Sequence, residues 1–105
     1  MNMQSLMQQA QRMQKDILNK KAEVEKKIFT GKSELVEVEV NGKKEVTKVD
    51  IKNKESITPE DLEILEDMIM IAINDANTSV DKELEEVMGP YGNSLNGLLW
   101  YIQTV

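Results

Sequence analysis

Apolar side chains recur along the first quarter of the chain at Met3, Leu6, Ala10, Met13, Ile17 and Val24, at spacings of three, four or seven. That period marks one face of an amphipathic helix. Gln and Lys, both good helix formers, fill the other faces. The pattern predicts a helix over about residues 2–27, roughly 40 Å long at 1.5 Å per residue, more than a small body covers on one side. The companion heptad position reads Leu6, Met13, Lys20, Lys27, and lysines there argue against a two-stranded coiled coil.

The period then changes. Ile28–Ser33 (IFTGKS) is short and β-leaning, a first strand or a turn. From Leu35 to Ile51 the residues alternate, with Asn41-Gly42 between two runs. Asn-Gly in that place is the strongest short-range signal for a two-residue type I′ hairpin. With residues 41 and 42 as the loop, Val38 would oppose Glu45 and Val36 would oppose Thr47. One face then collects Val36, Val38, Val40, Thr47, Val49 and Ile51. The other collects Glu37, Glu39, Lys44, Val46, Lys48 and Asp50. A loop one residue longer would scramble this separation, because side chains alternate with a period of two.

Asn53–Ser56 is a polar connector. Thr58-Pro59-Glu60-Asp61 reads as a helix start, with Thr58 as N-cap, Pro59 at the first helical position and acids in the first turn. The helix is expected to run to about Met88 and to end at Gly89-Pro90, the glycine supplying a left-handed cap. Its main stripe is Leu62, Leu65, Ile69, Ala72, Ala76 and Val80, with Ile64, Met68, Ile71 and Ile73 to the sides. A helix apolar almost all round is buried on more than one side. A three-stranded sheet covers one side only, so a second subunit is expected, with Leu62, Leu65, Met68, Ile69, Ala72 and Ile73 at the interface. The order helix, strands, helix defines an α+β two-layer unit. The division expected is one domain over residues 1–89 and a partly flexible tail over 90–105, containing Leu98, Leu99, Trp100, Tyr101 and Ile102.

Charge sharpens the picture. The 105 residues carry 13 basic and 19 acidic side chains, a net charge of −6. Residues 1–33 hold seven basic against three acidic, residues 34–58 five against six, and residues 59–105 one, Lys82, against ten. The basic excess therefore sits on the predicted first helix. There is no Cys and no His, which removes disulfides, thiolate metal sites and the commonest general base. Paired carboxylates such as Glu66 and Asp67, or Glu85 and Glu86, lie on an acidic helix where solvated surface is the default. No convergent catalytic set stands out, so no enzyme, metal or cofactor is expected. The start of the chain lacks the basic and apolar pattern of a signal peptide. No apolar run is long enough to span a bilayer, and the expectation is a soluble, cytoplasmic protein without membrane contact.

Four segments in order carry a family resemblance: MQQAQRMQKDI near the start, VEVNG at the hairpin, KVDI in the next strand, and PEDLEILEDMIMIAINDA at residues 59–76. Together they resemble the YbaB/EbfC family of bacterial nucleoid-associated proteins, over about residues 1–88. The resemblance implies an α-β-β-β-α protomer, an intertwined homodimer with projecting long helices, nucleoid location and binding of double-stranded DNA with little sequence preference. Ile28–Ser33 would then be the first strand. Family members commonly carry a basic pair after the Asn-Asp-Ala of the second helix, where this chain has Asn77-Thr78-Ser79-Val80-Asp81 and then Lys82. DNA contact is accordingly expected at Arg12, Lys15, Lys20, Lys21, Lys26 and Lys27. The rival expectation is an acidic dimeric adaptor that has lost most DNA affinity and docks a protein partner through its second helix or tail.

Overall fold

The computed structural model describes residues 2–89. Helix α1 spans Met3–Glu25, strands β1, β2 and β3 span Ile28–Lys32, Val36–Asn41 and Val46–Ile51, and helix α2 spans Leu62–Met88. The architecture is the expected α-β-β-β-α, with one antiparallel sheet in the order β1-β2-β3. The Asn2 side chain caps α1 by accepting from the Gln4 backbone N–H at 3.2 Å. Ile28–Lys32 is a strand, paired along its length with β2.

The core lies between α2 and the first two strands. Val36, Val38 and Val40 of β2 meet Ala72, Ala76 and Val80 of α2, and all six are buried. The small side chains at 72 and 76 let β1 cross close to the helix. A Cβ on Gly31 would collide with the Ala72 carbonyl oxygen and stand 2.7 Å from the Ala76 Cβ. The crossing is pinned by polar contacts. The Lys32 backbone N–H donates to Asp75 Oδ2 at 3.0 Å, and Ser33 Oγ donates to the Met68 carbonyl at 2.7 Å.

The hairpin departs from the sequence reading in a way that conserves its faces outside residues 44–47. The loop has three residues, 42–44, closed by Asn41 N–H donating to the Glu45 carbonyl at 3.0 Å and Lys44 N–H to the Asn41 carbonyl at 3.0 Å. Lys44, not Gly42, takes the left-handed conformation, with φ of 66°. This is a type I turn followed by a left-handed residue, so the type I′ reading is corrected. Asn41 is there because its Oδ1 accepts from the Lys43 and Glu45 N–H groups at 2.9 and 3.1 Å, a use of Asn in turns that mimics a backbone turn. Gly42 is there because its Cα abuts α1: a Cβ would collide with the Val24 carbonyl.

The extra loop residue alone would have swapped the faces. A bulge beside Glu39 and Val40 restores them, since one residue inserted twice leaves the parity unchanged. Val38 therefore opposes Val49, and Val36 opposes Ile51, not Glu45 and Thr47 as the two-residue loop required. Thr47 is the unpaired residue, and its hydroxyl donates to the Glu39 carbonyl at 3.1 Å. Val46 pairs with Val40, which moves it from the charged face to the apolar one.

The start and end of α2 are also adjusted. Pro59–Asp61 forms a 3-10 turn before the α-helix begins at Leu62. The Asp61 carboxylate accepts from the Thr58 N–H and hydroxyl at 2.9 and 3.0 Å. The polar connector holds a second 3-10 turn, Lys54–Ser56. Gly89 has right-handed helical angles, so it does not supply a left-handed cap.

Candidate nucleic-acid interface

How α1 sits on the body decides which of its residues face outward. Its C-terminal end is held at two points: Val24 is buried with its backbone against Gly42, and Lys27 forms an ion pair with Glu83 of α2. From that ion pair, α2 extends back about 31 Å to Leu62, and α1 extends about 36 Å to Met3, at 1.5 Å per residue. Laid antiparallel, the two reach about 67 Å end to end. Laid side by side in the same direction, they would span little more than α2 itself, about 40 Å. The long axis of the molecule is 70 Å. The helices are therefore antiparallel, and roughly 28 Å of α1 projects past Met88.

Met13, Ile17, Lys20 and Val24 are the α1 positions that lose exposure between Met13 and Val24, and they form one stripe. On a helix turning about 100° per residue, the stripe centres about 110° from Arg12. Arg12, Lys15 and Lys26 fall within about 60° of one another on a different, exposed face. Gln8 and Asn19 lie in the same arc and no carboxylate does, as Asp16 and Glu23 flank it.

The six predicted cations therefore divide. Arg12, Lys15 and Lys26 share a face. Lys20 belongs to the partly covered stripe and is itself engaged in an interaction. Lys21 lies about half a turn from Arg12. Lys27 is committed to Glu83. On the body, Lys44 pairs with Asp81 at 2.6 Å, so an acid of α2 takes up a hairpin cation as well. Gln8 and Asn19 escaped the sequence reading because it sought charge, although the same angular arithmetic was available.

The predicted interface residues are also divided. Ala72 is fully buried within the protomer, so none of its surface remains for a partner. Leu65, Met68, Ile69 and Ile73 pack partly against the core. Leu62 is more than half exposed, and so are Ile64, Met70 and Ile71. Ile64 and Ile71 mark one flank of α2 and Met70 another. Because α2 rests on β1 and β2, Val49 on the apolar face of β3 keeps 45% of its surface in solvent. The tail cluster Leu98–Ile102 lies outside the described residues.

A small α+β protomer with a cationic helix projecting from a half-covered apolar body defines a class of binding protein, and among the described residues no helix is long and apolar enough to cross a membrane. Residues 1–95 match the YbaB/EbfC DNA-binding family, and the chain belongs to that family. It is also 37% identical over 99 residues to a protein of Ligilactobacillus salivarius called a nucleoid-associated protein, covering 93% of this chain and 95% of the relative. The family is a DNA-binding one, not an enzyme family.

Proposed function

We propose that the protein is a homodimeric, nucleoid-associated DNA-binding protein of the cytoplasm, and that Arg12, Lys15 and Lys26 of each α1 lie against the phosphate backbone. The observation that carries this reading is the placement of Arg12 and Lys15 on the projecting part of α1, with Lys26 on the same side of the helix at its anchored end, in an arc bordered but not entered by Asp16 and Glu23. Phosphate contacts fix orientation and carry no sequence information directly, so low sequence preference is expected. Dimerisation is supported by the exposed apolar flank of α2 and by the uncovered Val49. A groove of about 320 Å³ lined in part by Leu35, Ile57, Ile64, Leu65 and Met68 continues that flank. The net charge of −6 does not oppose the reading, because the acids are concentrated on α2 and the projecting arm is basic.

A mobility-shift titration on duplexes of unrelated sequence tests the proposal. Affinities within a few-fold of one another are expected, lost together on raising salt. No binding at low salt, or binding to one duplex alone, contradicts it. The exposed carboxylates of α2, among them Glu63, Glu66, Asp67, Glu85 and Glu86, favour a second reading, an acidic docking surface for a protein partner. Capture of a protein that survives Arg12→Ala/Lys15→Ala but not charge reversal at Glu85 and Glu86 would support it.

A further inference from the structure

A stripe of reduced exposure on α1 runs from its anchored end out along the projecting part. The stripe of Val24, Lys20, Ile17 and Met13 continues at the same helical angle to Leu6, and drifts by about 50–110° round the helix through Ala10, Met3 and Met7. Along this free end Met3 is 79% exposed, Leu6 47% and Met7 61%. Apolar side chains in a row on a projecting helix are a surface to be covered, and this row follows on from the stripe whose anchored end, Val24, is buried.

The chain itself holds an occupant of the right chemistry and length. Sixteen residues, 90–105, follow Gly89; they contain Leu98, Leu99, Trp100, Tyr101 and Ile102 and no charged side chain. They start from the end of α2, which in the antiparallel arrangement lies level with about residue 21 of α1. Met7 is about 21 Å further along the arm. Leu99 is ten residue steps beyond Gly89, and an extended chain covers up to roughly 34 Å in that number. The segment is therefore long enough for the apolar cluster to span that distance with slack. The family match ends at residue 95, before the cluster begins.

We infer that the segment Leu98–Ile102 docks along the Met3–Leu6–Met7–Ala10 face of α1 of its own chain. The docked tail lies on the far side of the arm from Arg12 and Lys15. Being uncharged, it adds no repulsion toward a polyanion. It converts a single projecting helix into a two-element arm with its cationic face still open.

The absence of cysteine from the chain makes the test clean. In full-length protein carrying Met7→Cys and Leu99→Cys, a short bismaleimide is expected to bridge the two thiols within one chain, giving the mass of one chain plus one linker at all protein concentrations. A product with the mass of two chains, or two singly modified thiols without a bridge, overturns the inference. Trp100 is the only tryptophan, so its emission reports the same contact without a cross-linker. Leu6→Glu, at an exposed position, is expected to shift that emission to the red with unchanged helical circular dichroism. An emission that does not move overturns it.

Discussion

At the residue scale, small side chains do more to set this structure than large ones. Gly31 and Gly42 are required by close approach, not by backbone angles, since among the described residues no glycine has positive φ. Gly31→Ala is expected to cost about 1–3 kcal/mol or more through overpacking against the backbone of α2, read as a lower urea midpoint. Gly89→Ala is the control: nothing lies within 4 Å of its Cβ position and its angles are helical. That change is expected to be neutral or stabilising by up to about 1 kcal/mol. Asn41-Gly42 was legible as a hairpin signal, but the reasons for each residue were not. The Asn closes the turn with its side chain and the Gly admits the end of α1, and neither fact exists until the two elements are packed.

At the element scale, one lysine offsets a like-charge pair on the charged face of the sheet. Glu37 and Asp50 are directly opposed, a pairing of like charges that disfavours the ladder. Lys52 stands between them, 2.6 Å from Asp50 Oδ2 and 3.6 Å from Glu37 Oε2. Its hydrogen bond holds the Asp50 carboxyl below the usual carboxylate range, and Asp50 in turn raises the Lys52 ammonium. A carboxyl depressed in the folded state contributes stability above its unfolded value, lost as pH falls through its folded value. The raised lysine contributes below its own unfolded value, lost as pH rises through its folded one. Lys52→Met is therefore expected to lower the urea midpoint at pH 7 and to approach wild type in acid. Asp61 follows the carboxylate sign, because the Thr58 N–H and hydroxyl lower it. Asp61→Asn should lose stability at pH 7 relative to wild type, with the gap closing as pH falls through the carboxylate range. Amphipathic period and alternation made α1, β2, β3 and α2 readable from the sequence, whereas the short Ile28–Ser33 segment reads equally as a strand or a turn. Register was not readable, because two single-residue insertions cancel in parity and leave the face pattern of Val36, Val38, Val49 and Ile51 as it would be without them.

At the scale of the whole molecule, charge is separated along a 70 Å axis. The acidic helix α2 is the base on which the sheet is laid, and the basic helix α1 is carried beyond it. The charge asymmetry between the first 33 residues and the last 47 was visible in the sequence. Which of those cations are taken up by other contacts was not, because Lys27 is drawn to Glu83 and Lys20 belongs to the partly covered stripe. Counterion release converts the proposed geometry into a number. Three cations on each arm of a dimer neutralise about six phosphates, for a slope of log affinity against log salt of about −5. Removing Arg12 and Lys15 from both arms should leave a slope of about −2, while Lys27→Ala should change it little. The most direct test is that salt titration of wild type beside Arg12→Ala/Lys15→Ala. A slope reduced by more than half in the double variant is the expected result, and equal slopes for the two proteins would contradict DNA contact through this face of α1.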